Sequence, residues 1–315
     1  MSVDQLPKSA TGAALNGGDL VTGPNAAYRD LFVRQSLKDP DPWHPGGSAS
    51  PDTIPSGTAA VDPTLYLGDY DQDPGQALVP GQMNFVYVRT RNPSDKERLG
   101  QLFVAAGPST FLCWPDLLTP VKTEDGKPYD QLKVKPGDVG VSMKAFCFTP
   151  STAADVLAAY VFTAEHPVRL PALRSVSALA EFLATTHGYA QRSVGFGATT
   201  PGGYRMVGAY DQRDEAADVF VRLICTNLTG AEVALRPIAG GCDIDIPLTA
   251  VPQDSFGVST EAHLDTGFTT TLELVVDLRG LTLPLASARV EISLVLDNPF
   301  TLIPLGGHTW RYKTP

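Results

Sequence analysis

The sequence is poor in the residues that announce a chemistry. Cysteine occurs four times in 315 residues, with no C-x-x-C pair and no Cys/His cluster, which excludes a structural zinc module of the usual spacing. No stretch approaches the roughly 20 uninterrupted apolar residues that a membrane-spanning helix needs. The opening residues, Met1-Ser2-Val3-Asp4-Gln5-Leu6-Pro7-Lys8, hold no basic segment leading into an apolar one, so no signal peptide is read. A cytoplasmic start is therefore expected, and an extracellular role would need a non-classical route. Basic residues are in the minority: 24 Lys and Arg stand against 34 Asp and Glu, for a net charge of −10. That balance argues against nucleic acid or an anionic membrane as the main partner.

Catalytic signatures are missing too. No G-x-S-x-G elbow occurs, and His44, His166, His187, His263 and His308 are scattered without metal-ligand spacing. Gly195-Phe196-Gly197 followed by Pro201-Gly202-Gly203 lacks the lysine and the following helix of a phosphate loop. It reads as a turn leading into the second half. Cys113 and Cys147, then Cys225 and Cys242, are read as reduced thiols on strands, with a disulfide in each half as the alternative.

Glycine (29) and proline (27) are abundant, which fits many short strands joined by turns. One strand pattern appears twice. Phe85-Val86-Tyr87-Val88-Arg89-Thr90-Arg91-Asn92 and Phe220-Val221-Arg222-Leu223-Ile224-Cys225-Thr226-Asn227 align without a gap, each with period two and each ending at an Asn-led turn. Val86, Val88 and Thr90, like Val221, Leu223 and Cys225, are expected to face a core. Tyr87, Arg89 and Arg91, like Arg222, Ile224 and Thr226, are expected to face outward. The fold class is thus all-β, with two antiparallel immunoglobulin-like β-sandwich domains joined by a short helical linker. The expected divisions are an extended N-terminal arm over 1–55, sandwiches over 56–168 and 193–315, and the linker over 169–192. Ser175 or Ser177 caps the one convincing helix, with Val176, Leu179 and Leu183 at helical spacing. Thr110 to Trp114 reads as a strand, and Val156 to Thr163 as a strand whose alanines also permit a helical turn.

Gly81 to Asn92, followed by Pro136-Gly137 and the strand from Val139, resembles the opening of bacterial CARDB-type, immunoglobulin-like repeats. The resemblance implies a sandwich used in adhesion, extracellular assembly or as a spacer, and implies no catalytic residues.

Candidate sites are few. Asp69, Asp71 and Asp73 alternate in one loop, as the hard oxygen ligands of a calcium loop do. Pro74 and Pro80 stand where an EF-hand needs Gly and Glu, so an EF-hand is excluded. A looser calcium site completed by a distant acid remains, beside the plainer reading of a solvated loop. Asp243 and Asp245 read as an exposed sheet face, or as a second cation face. Trp43, Tyr66, Tyr70, Trp114 and Trp310 are candidates for a carbohydrate-stacking platform, although such residues more often fill cores. Asn227-Leu228-Thr229 fits a glycosylation sequon, relevant only to a eukaryotic secretory pathway. The expected function is non-enzymatic: a structural, interaction protein of a bacterial surface or delivered multiprotein system. Protein partners and a homo-oligomer formed through the N-terminal arm are expected, and no cofactor other than calcium. A calcium- or carbohydrate-binding module is the alternative, and a toxin or enzyme with a site assembled from distant residues a second one.

Overall fold

The computed structural model describes residues 28–37, 49–68, 70–108, 110–112, 114–151, 155–194, 198–200, 202–238, 242–281, 289–296 and 304–311. In the first half the strands are β1 (Thr53–Pro55), β2 (Asn84–Arg91), β3 (Arg98–Pro108), β4 (Thr119–Val121), β5 (Asp130–Val134), β6 (Val139–Val141), β7 (Phe146–Phe148) and β8 (Asp155–Phe162). Helix α1 (Val176–Thr185) and β9 (Tyr189–Ser193) follow. Then come β10 (Ala198–Thr200), β11 (Gly203–Asp211), β12 (Ala217–Thr226), β13 (Glu232–Pro237), β14 (Ile246–Ala250), β15 (Ser255–Leu264), β16 (Thr269–Asp277), β17 (Arg289–Leu296) and β18 (Pro304–Arg311).

The strands form four antiparallel sheets: β1-β2-β6 with β7 also on β2, β4-β3-β8-β9 with β5 also on β3, β10-β11-β16-β13-β14, and β15-β12-β17-β18. The all-β reading therefore holds for the described residues. Strand β12 shows why periodicity finds such elements: Val219, Val221, Leu223 and Cys225 are buried, while Phe220, Arg222, Ile224 and Thr226 are half-buried. Strand β2 departs from that pattern. Tyr87 and Arg89, expected outward, are as buried as Val86 and Val88, because Asp52, Ile54, Tyr66 and Gln72 lie against that face.

Strand β8 is buried on both sides. Leu157, Ala159 and Val161 join a core with Leu31, Val33, Val86, Val88 and Leu102. Val156, Ala158 and Tyr160 face a second core with Phe111, Trp114, the α1 residues Val176, Leu179 and Leu183, and Tyr204, Val221, Leu223 and Leu274. Burial on two faces turns a strand into a continuous apolar run, and the helical turn that the alanines of Val156 to Thr163 also permit is not formed. The second core also runs without a break from the first half of the chain into the second.

Helix α1 starts where Ser175 accepts a hydrogen bond from the Ala178 amide at 3.1 Å, as a serine N-cap should. The end of the expected linker is not a linker: β9 is the edge strand of the first half's sheet, paired with β8. Among the described residues of Thr110 to Trp114, where a strand is expected, none belongs to one. Thr110 makes one parallel bridge to Ala209, Pro115 starts a 3-10 turn, and the Trp114 indole donates to the Asp211 carbonyl at 3.0 Å. These residues turn across to the second half instead of extending their own sheet. Trp114 is buried, with the Arg213 guanidinium 4.2 Å from its ring.

Candidate functional site

The most highly charged interior of the molecule lies where residues 28–35, the 50–56 segment, the acidic loop and β2 meet. Phe32 and Arg91 exchange both backbone hydrogen bonds at 3.1 Å, and the Val33 amide donates to the His187 carbonyl at 3.2 Å. The N-terminal segment thus links β2 to the turn that precedes β9. Leu31 lies so close to Gly100 that a Cβ there would meet its Cδ1 at 2.5 Å, so residue 100 has room only for hydrogen.

A polar cluster ties down each end of this segment. At one end, the Asp52 carboxylate accepts from the Arg34 amide, Nε and Nη2 at 3.0, 2.9 and 2.7 Å, and from Arg89 Nε at 2.7 Å. Side-chain exposure is 2% for Arg34 and 0% for Arg89 and Asp52. Arg89 also donates to the carbonyls of Tyr66 and Gln72. The Tyr70 ring covers the cluster, 3.4 Å from the Arg34 guanidinium, 4.9 Å from that of Arg89 and 5.7 Å from that of Arg91. Burial, and then the Asp52 charge, push the Tyr70 phenol well above its ordinary range.

At the other end, buried Asp30 accepts from the Leu31 amide at 2.7 Å and from the Thr163 hydroxyl. Its Oδ2 lies 3.0 Å from His166 Nδ1. Asp30, Glu165 and His166 bring three ligand atoms within 4.8 Å of one another, the arrangement best suited to a metal ion among the described residues. Arg98 already places a cation there, bonded to Glu165 and 3.9 Å from Asp30. A metal ion there would have to compete with Arg98 for both carboxylates.

The acidic loop serves this architecture. Asp73 pairs with Arg192 at 2.8 Å and accepts from the Gly75 amide at 3.0 Å. Arg192 also reaches the carbonyls of Ser50 and Thr53. A Cβ on Gly75 would sit 2.6 Å from Arg192 Nη2, so glycine is what lets the guanidinium approach. Asp71 is exposed, and Asp69 lies outside the described residues. A calcium ion would have to compete with Arg192 for Asp73. We expect 1 mM calcium to leave the melting temperature unchanged, whereas a site of 10 µM affinity would add about 2.7 kcal/mol under those conditions.

Among the described residues, the aromatic candidates Tyr66, Tyr70 and Trp114 do not form an exposed platform. Tyr66 is buried with Ile54, Tyr87, Val141 and Ala145, its ring 5.3 Å from Tyr87, and Tyr70 lies on the arginines. Trp43 and the Trp310 side chain lie outside the described residues. Asp243 and Asp245 are exposed, while Ile244 and Ile246 between and beside them are buried. Cys147, Cys225 and Cys242 are free thiols, and burial pushes Cys225 up to about 12. Cys113 lies outside the described residues.

Sequence reasoning missed one further constellation. His308 on β18 lies 2.5 Å through Nδ1 from the Ser193 hydroxyl and 2.8 Å through Nε2 from the Tyr204 hydroxyl. It joins β9 of the first half to two strands of the second. His308 is 1% exposed, and burial pushes it down to about 3. A serine and a neutral imidazole are together, as an acyl-transfer enzyme needs, but the site is sealed from substrate. Each is a scattered residue in the sequence, and no local spacing joins them.

No family model matches the chain, the CARDB-type repeats included, and no curated protein matches it. Among solved structures, red sea bream transglutaminase aligns at 10% identity and a TM-score of 0.22, over 75% of this chain and 30% of that one. An anti-sigma factor domain-containing protein aligns at 10% and 0.22, over 88% and 98%. Collagen adhesin from S. aureus aligns at 6% and 0.20, over 73% and 87%. No residue role is transferred from any of them. No helix among the described residues is long and apolar enough to cross a membrane.

Proposed function

We propose that the chain is a non-enzymatic structural and interaction protein. In this reading two immunoglobulin-like sandwiches, held together by α1 and the shared core, present sheet edges to protein partners in a bacterial surface or delivered assembly. The observation that carries it is β15, a ten-residue strand paired with β12 and, among the described residues, with no other strand. Such an edge is a ready template for another chain. The interior charges support the same reading, because Asp52, Asp30 and Asp73 are spent on holding the chain's own segments, and the Ser193–His308 pair is sealed. Residues 31–35 make a poorer contact element than β15, since Phe32 is bonded to β2, Arg34 to Asp52 and Gln35 to β9; residues 1–27 and 38–48 of the expected arm lie outside the described residues.

Sedimentation velocity of the full chain over a range of about 1 to 100 µM tests the proposal. The mass is expected to rise above the 33.5 kDa of one chain with concentration, with or without calcium. A single 33.5 kDa species throughout overturns self-assembly.

A further inference from the structure

Sheet edges are hazards that proteins guard with proline, lysine, bulges, shortness or a covering segment. Most edges among the described residues carry such a guard. Strand β14 has Pro247 and a register break in its pairing with β13. Strand β18 begins at Pro304 and also breaks register. Strand β4 is three residues long with Pro120 at its centre, and β10 is three residues long. The outer side of β9 is covered by Ala49 and Ser50.

Among the described residues, strand β15 has none of these. It matches β12 at ten consecutive positions, from Ser255 opposite Thr226 to Leu264 opposite Ala217, without a shift. Its sequence, Ser-Phe-Gly-Val-Ser-Thr-Glu-Ala-His-Leu, holds no proline, lysine or arginine. On its inner face Phe256, Val258 and Thr260 are only half-buried, while Cys225, Leu223 and Val221 opposite them on β12 are fully buried. A further strand along this edge would cover that remaining apolar surface.

The geometry points to a second copy of this chain as the occupant: two β15 strands pair antiparallel about a two-fold axis at Thr260, joining two four-stranded sheets into one. This inference rests on the assembly reading above and assigns its contact. A two-fold contact must be self-complementary, and antiparallel pairing must keep like faces together. Centred on Thr260, the inner face sets Phe256 opposite Leu264 and Val258 opposite Ala262. The outer face sets Ser259 opposite Glu261 and Gly257 opposite His263. No charge meets its like. Centred on Glu261, the pairing sets carboxylate against carboxylate; centred on Ser259, it sets Asp254 opposite Leu264. His263 is already held by Asp218 of its own sheet at 2.6 Å, so it needs no partner from the second copy.

Sedimentation equilibrium on the full chain and two variants tests the contact. Ser259→Asp places a carboxylate opposite Glu261 of the second copy, twice across the axis, while within its own sheet it faces Arg222. The expected result is an unchanged melting temperature and a dimer dissociation constant raised about tenfold, since like charges directly opposite are unfavourable. Adding Glu261→Lys to Ser259→Asp is expected to restore the parental constant. An associating parent whose Ser259→Asp variant associates equally well overturns the β15 contact and leaves the assembly reading standing. Failure of the double variant to recover overturns the Thr260 register. A parent that stays monomeric overturns both.

Discussion

Replacing Asp52 with asparagine is expected to lower the unfolding free energy by about 3–5 kcal/mol, the cost of removing one partner from a buried ion pair. Asparagine keeps the shape but offers one oxygen, and it turns an NH₂ toward guanidinium groups that only donate. Arg34 and Arg89 would keep their charges where neither side chain meets appreciable solvent. Urea unfolding at neutral pH measures the loss. A companion variant separates charge from packing: adding Arg34→Met to Asp52→Asn removes one of the two cations and is expected to recover part of the stability, a non-additivity visible in a double-mutant cycle. A loss below about 1 kcal/mol would mean that the cluster is solvated enough to screen its charges. Set against a typical total stability of about 5–15 kcal/mol, the expected loss is enough to populate the unfolded chain.

The second large effect is acid sensitivity from His308. Its folded pKa is pushed down to about 3 by burial, against an ordinary value near 6.5. Above pH 6.5 neither state binds the proton and no penalty exists. As the pH falls from 6.5 toward 3, the unfolded chain takes up a proton that the folded chain refuses, and stability falls by up to about 1.4 kcal/mol per pH unit. At pH 4.5 the loss from this residue is therefore about 2–3 kcal/mol. His308→Gln gives up one of the two hydroxyl contacts and is expected to be less stable at pH 7, yet to lose less on acidification. The measurement is the difference in unfolding free energy between pH 7 and pH 4.5 for parent and variant. Equal differences would show that His308 is protonated in the fold, and that other groups govern the acid response.

The strands with one buried face were legible. In β12 the alternation from Val219 to Cys225 reads directly as an inward set, and both Asn-led turns are real, though built differently. Asn92 closes its turn through the side chain, donating to the carbonyls of Lys96 and Val134. Asn227 does so with its backbone in the left-handed region, at a φ of 57°. Strand β15 is a weaker signal, because an edge buries its inner face by half and tolerates Gly257, Ser259 and Glu261. The buried polar clusters were not legible at all. Arg89 meets Asp52 across 37 positions, Asp30 meets His166 across 136, and Ser193 meets His308 across 115. Periodicity reports which face a side chain takes, and says nothing of the partner waiting there. That is why Arg89 reads as an outward residue and proves to be an interior one. The same limit applies to Asp73, whose place in an alternating acidic loop suggests a cation and whose cation is Arg192.

The placement of residues 31–35 has a consequence for biosynthesis. Gln35 bonds the Tyr189 carbonyl 154 positions downstream, and Leu31 and Val33 fill a core that includes Ala190. At about 5–20 residues per second on the ribosome, those partners emerge roughly 8 to 30 s after the N-terminal segment does. Gln35 therefore waits for 154 further residues to be made before its partner exists, and the core that Leu31 and Val33 share with Ala190 closes no earlier.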